Sequence, residues 1–145
     1  MALFADDAED RVSQLIALTE RLTERLAQET RAFENRRPQD VLPGLEETQK
    51  LANLYRHESA RVKADRSLIE AADLKQRIAL MQATEAFEAV LARHARAVEA
   101  ARTVSEGLVR TIAAEVAEVR SPGSYGAGGQ AQSGDARAVT LNQKA

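Results

Sequence analysis

The side chains best suited to chemistry in this sequence are two histidines, His57 and His94, and neither has a matching residue nearby. A helical metal pair of the E-x-x-H kind needs a carboxylate three residues before His94, where Leu91 stands, and an H-x-x-x-H pair needs a second histidine four residues away. His94 instead falls within an apolar series. We therefore interpret it as a polar residue that fixes the register of packed helices. His57, beside Glu58, is predicted to lie on the surface.

The sequence also shows no pattern that indicates a catalytic nucleophile or a phosphate-binding loop. The chain has no cysteine, and its two histidines are too far apart in sequence to suggest a nucleophile–base pair. The Gly-Ala-Gly-Gly run at residues 126–129 lacks the preceding strand and following helix that a phosphate-binding loop requires. We therefore expect a protein that is not an enzyme and that holds no metal and no cofactor.

Charge and hydropathy narrow the classes of partner. The 20 basic and 22 acidic residues leave a net charge of −2, so the chain lacks the basic excess that duplex nucleic acid requires. The longest unbroken apolar run has only five residues, at positions 1–5, far short of the ~20 residues that span a bilayer. Residues 1–7 lack the pattern of a signal peptide. We expect a cytoplasmic protein that neither binds nucleic acid nor inserts into a membrane.

A seven-residue apolar repeat dominates the second half of the chain. Steps of four and three residues visit a mostly apolar or small series: Leu80, Thr84, Phe87, Leu91, His94, Val98, Ala101, Ser105, Leu108, Ile112, Glu115 and Val119. Polar residues fill the opposite face, and Gly107 is the only glycine between residues 74 and 120. The pattern predicts one helix about 70 Å long, and therefore an elongated protein.

Two shorter helices are predicted before it. The first begins near Asp6 or Asp7 and stops at Arg36 or Arg37, because Pro38 disfavours helical geometry in the residue before it. Its apolar stripe comprises Val12, Leu15, Leu18 or Thr19, Leu22, Leu26 and Phe33. The second begins with Asp40 as its N-cap and ends between residues 62 and 65. No glycine or proline follows, so two alternatives stay open for residues 62–75. The helix continues through them, or a new helix starts at Ser67, where Ser67 and Glu70 fit a capping box.

Together these features predict an all-α fold. We expect an antiparallel three-helix coiled coil or bundle with helices at about residues 7–36, 40–65 and 72–120, which form one domain over residues 1–120. Residues 121–145 are rich in glycine and poor in apolar side chains, so we expect a disordered tail there.

The helix lengths also predict a surface without cover. Short connections make neighbouring helices antiparallel, so the second helix covers the third only as far as about Val98. Beyond that point six aliphatic side chains would form an apolar patch for a partner to bind: Val104, Leu108, Val109, Ile112, Val116 and Val119. Gly107 is either a tolerated surface glycine or a point of close approach for a partner's backbone. Tyr125 is either a stray aromatic residue or a short docking element.

Four motifs, in their order and spacing, resemble the FlgN-type flagellar export chaperones, and more closely their divergent alphaproteobacterial FlbY-like members. They are the leucine-rich run Leu15–Leu26, Leu45-x4-Lys50-Leu51-x2-Leu54-Tyr55, Ser105-Glu106-Gly107-Leu108-Val109 and Tyr125-Gly126-x2-Gly129. The resemblance implies a cytoplasmic chaperone that binds the C-terminal helices of hook-associated proteins and delivers them to the type III export gate. It also implies that Tyr125 contacts the cytoplasmic domain of that gate.

The oligomeric state separates the two functions that these residues allow. A chaperone of this kind is expected to be a monomer or a weak homodimer when free and to form a tight complex with its client. The alternative is a homo-oligomeric coiled-coil scaffold, or a regulatory factor, in flagellum assembly. A scaffold would form a stable oligomer by itself.

Overall fold

The computed structural model describes residues 2–120, and within that range every regular element is a helix. The elements are α1 (Ala8–Glu34), a 3-10 helix (Pro38–Gly44), α2 (Leu45–Ala64), the single turn α3 (Ser67–Glu70) and α4 (Leu74–Arg120). The prediction of an all-α fold is confirmed. The predicted tail at residues 121–145, including Tyr125, lies outside the described residues.

Helix α1 begins as the sequence predicts and ends earlier than expected. The Asp7 side chain caps it, because its Oδ1 accepts a hydrogen bond of 2.8 Å from the amide of Asp10. At the other end Arg36 adopts φ 60°, and the amide of Arg37 donates to the carbonyl of Ala32 over 2.8 Å. This is a Schellman cap with arginine in the place usually taken by glycine. The left-handed residue therefore ends the helix before Pro38 can.

The predicted N-cap of the second helix is wrong. Asp40 lies inside the 3-10 helix, where its carboxylate pairs with Nε of Arg37 at 2.9 Å and so does not cap a helix. Helix α2 starts at Leu45, after Gly44, without a hydrogen bond from a capping side chain.

Of the two alternatives left open for residues 62–75, the structure has the break and excludes the continuous helix. Asp65 adopts an extended backbone with φ −140°, and its Oδ1 accepts hydrogen bonds from both the amide and the hydroxyl of Ser67. At the start of α4, Oδ1 of Asp73 accepts a hydrogen bond of 3.1 Å from the amide of Lys75. Aspartate carboxylates thus take over backbone donors at both breaks, and this competes with a continuing helix.

Within residues 2–101 the helices form a three-helix bundle. Helices α1 and α2 are antiparallel, as shown by the hydrogen bond of 3.3 Å from Nε of Arg25 to the hydroxyl of Thr48 and by the pairing of Arg11 with Glu58. Helix α4 runs parallel to α1. Near the start of both helices, the side-chain amide of Gln76 in α4 donates a hydrogen bond of 3.0 Å to the hydroxyl of Ser13 in α1. At the C-terminal end of α1, Glu34 accepts a hydrogen bond from Arg93, which lies further along α4.

The core forms where the apolar stripes of these helices meet. Leu22 and Leu26 from α1 pack against Phe87 from α4, and the ring of Tyr55 from α2 stacks beside Phe87 with centroids 4.6 Å apart. The predicted stripe of α1 is buried, except that Phe33 is only half-buried.

One predicted seam residue in this part of α4 faces outward. Leu91 is exposed, and Val90 packs against the core instead. A straight helix turns once per 3.6 residues, so a strict seven-residue column drifts around it and leaves Leu91 at the edge of the seam.

Candidate partner-binding surface

The predicted uncovered aliphatic residues are exposed in the structure. We call them the C-terminal seam, and their exposed fractions lie between 43% and 75%: Val104, Leu108, Val109, Ile112, Val116 and Val119. Residues 102–120 contain no buried side chain. Within the described chain, nothing removes this apolar surface from water.

The seam is one face of an amphipathic helix. Leu108 and Ile112 continue the seven-residue register of Phe87, which is buried, and of His94, which is mostly buried. The outer face is polar, and Arg102 pairs there with Glu106 at 3.4 Å. An apolar stripe backed by charges is the pattern of a helix that packs against other helices.

Gly107 lies in this part of α4 with free space around it. A Cβ atom built there would meet nothing within 4 Å. Both interpretations of this glycine therefore stay open in the free protein, since an alanine would fit sterically and so would a partner's backbone.

The two histidines occupy places consistent with their sequence context. His57 is exposed. His94 is mostly buried between α4 and α1, where its Nε2 lies 3.2 Å from Oε2 of Glu29 and its ring meets the edge of Phe33. Residues 2–120 contain no group of three histidine, cysteine, aspartate or glutamate side chains that could hold a metal ion.

A buried carboxylate at Glu58 was missed by sequence reasoning. Its side chain is 1% exposed and accepts hydrogen bonds from the amide of Leu3 at 2.9 Å and from Arg61 at 3.1 Å. The guanidinium of Arg11, itself nearly buried, lies 3.7 Å away. This cluster ties the N-terminal segment to α1 and α2. No local signal marks it, because Glu58 stands beside the exposed His57 in an otherwise ordinary polar run.

A second exposed apolar surface was also missed. Leu74, Ile78 and Met81 are exposed at the start of α4, although the helix lengths predicted that α2 would cover this stretch. Leu74 and Ile78 line a shallow depression with the aliphatic part of Lys75. The sequence contained a signal for this exposure, because these three residues lie outside the seven-residue series that begins at Leu80.

Ion pairs on the bundle surface connect α1 to both of its neighbours. Nε of Arg21 donates to Glu47 over 3.1 Å, and Nε of Arg93 donates to Glu34 over 2.8 Å. These hydrogen bonds hold the pKa of Glu47 and the pKa of Glu34 below the usual value of 4.5. Both pairs are open to solvent, so they contribute more to helix register than to stability.

Across residues 2–120, each helix lacks a segment that is both apolar enough and long enough to cross a membrane.

Comparison with known proteins places the chain in a flagellar family. No family model matches the sequence, and no solved structure matches it. The flagellar basal-body protein FlbY of Caulobacter vibrioides is 56% identical over 149 aligned positions, which cover the whole of both proteins. At this identity over the full length, the chain belongs to the family of the flagellar basal-body protein FlbY.

Proposed function

We propose that this protein is a cytoplasmic flagellar export chaperone. It binds the C-terminal helices of a hook-associated protein on the C-terminal seam and delivers that client to the type III export gate. The observation that carries the proposal is the row of exposed aliphatic side chains on one face of residues 102–120. Apolar patches of this kind mark protein interaction sites in soluble proteins.

The chemistry of the seam supports a helical client. An amphipathic partner helix can place its own apolar residues at three- and four-residue spacing against Leu108 and Ile112, which share that spacing. The polar outer face of the same helix stays in water. The Caulobacter relative is a flagellar basal-body protein by name, which supports a role in flagellar assembly.

A charge pair placed in the seam tests the proposal. Leu108→Asp together with Ile112→Asp should abolish binding of a hook-associated protein while leaving helix content nearly unchanged, because both side chains are exposed in the free protein. A carboxylate there would have to be buried against the client's apolar face without a partner, which is strongly unfavourable. Calorimetric titration measures the binding, and far-UV circular dichroism measures the helix.

A matched control comes from the outer face of the same helix. Ala114→Asp together with Ala117→Asp adds the same two charges at exposed positions on the side of the helix opposite the seam and should leave client binding intact. If the seam variant binds normally, the client does not use this surface. If the seam variant unfolds, Leu108 and Ile112 belong to an internal core, and the proposal fails.

A homo-oligomeric scaffold is the second candidate, because the same seam could pair with its own copy. Sedimentation equilibrium of the free protein separates the two functions. A monomer or weak dimer that forms a tight complex with a hook-associated protein supports the chaperone, and a stable oligomer that the seam variant dissociates supports the scaffold.

A further inference from the structure

The seven-residue column that begins at Leu80 contains two titratable side chains, His94 and Glu115. They stand 21 residues apart, a spacing of three heptads, so they occupy the same position of the repeat. Thr84, on the neighbouring column, satisfies its hydroxyl within its own helix by donating to the carbonyl of Leu80 over 2.9 Å. A carboxylate has no such route, since it accepts hydrogen bonds and the helix offers it only carbonyl oxygens.

In the bundle, the first of these side chains, His94, has a hydrogen-bonding partner. His94 faces α1, and that helix supplies Glu29 at 3.2 Å from the imidazole nitrogen. Both side chains are mostly buried. The helix that covers the seam thus carries a polar residue of complementary character at the matching height.

Glu115 is the second titratable side chain of this column, and no residue among the described ones pairs with it as Glu29 pairs with His94. It is exposed and has no hydrogen bond or ion pair with any residue from 2 to 120. Its neighbours in the repeat are Leu108, Ile112 and Val119, all apolar. A partner helix that covers those three residues also covers the carboxylate, and a buried carboxylate must be paired with a hydrogen-bonding cation.

We infer that Glu115 selects the partner: the seam takes an apolar helix that carries an arginine or lysine within its own apolar face, opposite Glu115. This rests on the proposed function and narrows it to a client helix with one basic seam residue. Arginine suits the position best, because its guanidinium binds a carboxylate through two parallel hydrogen bonds. A single charged residue inside an apolar seam also fixes the register of the two helices.

The same residue argues against a second copy as the occupant. In a parallel, in-register pair, equivalent repeat positions face each other, so Glu115 would meet Glu115 of the other copy. Two like charges in an apolar seam repel, and neither can be paired. Glu115 therefore argues against a parallel, in-register second copy, and the oligomeric state of the free protein tests an antiparallel one.

Synthetic helical peptides provide the probe. Three peptides of about three heptads share one apolar face and differ only at the central seam residue, which is arginine, glutamine or glutamate. Fluorescence anisotropy measures their binding to the full-length protein at about 0.15 M salt. The arginine peptide should bind the wild type at least about tenfold more tightly than the glutamate peptide.

Variants of the protein assign the preference to one residue. Glu115→Gln should remove it, and Glu115→Arg should reverse it. Glu106→Gln, which removes a carboxylate from the outer face, should leave it unchanged. Circular dichroism should show equal helix content in all variants, because these side chains are exposed.

The outcomes separate this inference from the proposed function. Equal binding of the three peptides, or a preference that survives in Glu115→Gln, overturns the role of Glu115 and leaves the seam as a helix-binding surface. If none of the peptides binds, the seam does not accept a helix and the proposed function fails too. A dimer that dissociates on Leu108→Asp with Ile112→Asp makes a second copy the occupant and overturns the inference.

Discussion

Replacing Glu58 by alanine is expected to destabilise the bundle far more than the loss of an exposed glutamate. The Glu58 carboxylate is 1% exposed and receives hydrogen bonds from the amide of Leu3 and from Arg61. Arg11, whose side chain is 10% exposed, lies 3.7 Å away and has its charge balanced by Glu58. The alanine variant leaves that guanidinium buried without an opposite charge.

The size of the effect follows from which partners can reach water. Removing one member of a buried ion pair costs about 3–5 kcal/mol, because the remaining charge stays desolvated. Arg61 is 36% exposed and can turn to solvent, so its contribution is small. We expect a loss of about 3–4 kcal/mol in the free energy of unfolding, a large share of the ~5–15 kcal/mol of a typical domain. At about 4 °C per kcal/mol, Tm should fall by roughly 12–16 °C.

Urea unfolding followed by far-UV circular dichroism measures the loss. The control is Glu46→Ala, which removes a carboxylate that pairs with Lys50 on the exposed face of α2 and should change stability little. The double variant Arg11→Met with Glu58→Leu removes both buried charges and should recover much of the loss. A Glu58→Ala variant as stable as the Glu46→Ala control would refute the reasoning. A double variant with a lower free energy of unfolding than Glu58→Ala would show that packing, and not an unpaired charge, causes the loss of stability.

Three further predictions concern other parts of the chain. Gly107→Ala should stabilise α4 by about 0.5–1 kcal/mol in thermal unfolding; if it also weakens client binding, a partner's backbone approaches there, and unchanged binding identifies a surface glycine. The hydrogen bond from Arg21 lowers the pKa of Glu47 below 4.5, so the unfolded chain binds more protons just below that pH, and the stabilising contribution, present above pH 4.5, is lost as the pH falls. Glu47→Gln should flatten this acid dependence, and an unchanged acid profile would contradict the assignment. Tyr125→Ala should leave stability and client affinity unchanged but weaken binding to the cytoplasmic domain of the export gate, as measured by paired titrations; loss of client affinity as well would place Tyr125 in the client site, and loss of neither would make it a passive residue.

Much of the helical architecture is readable from the sequence. Apolar spacing along α1 and α4 is a local property, because the backbone of a helix brings residues three and four apart onto one face. The Asp7 cap is local too, since its carboxylate bonds to an amide three residues away. The six aliphatic residues of the C-terminal seam were predicted by comparing helix lengths, and they are exposed in the structure.

The wrong N-cap at Asp40 and the alternatives left open at residues 62–75 both occur where two local signals compete. Asp40 has the chemistry of an N-cap, but Arg37 binds its carboxylate, and the chain continues as a 3-10 helix. Between residues 62 and 75 no glycine or proline marks a break, yet Asp65 and Asp73 bond to backbone amides and interrupt the helix. Periodicity cannot resolve such competition, because each side chain has more than one acceptable partner.

The sequence by itself determines which faces of α1 and α4 are apolar, and it places His94 and Glu115 at one position of the repeat. Only the tertiary structure decides which of these positions is satisfied. His94 meets Glu29 because α1 packs beside it, and Glu58 becomes buried because Leu3, 55 residues away in sequence, folds onto it. Periodicity follows from the geometry of one helix, whereas the burial of a charge depends on which distant segment arrives to cover it.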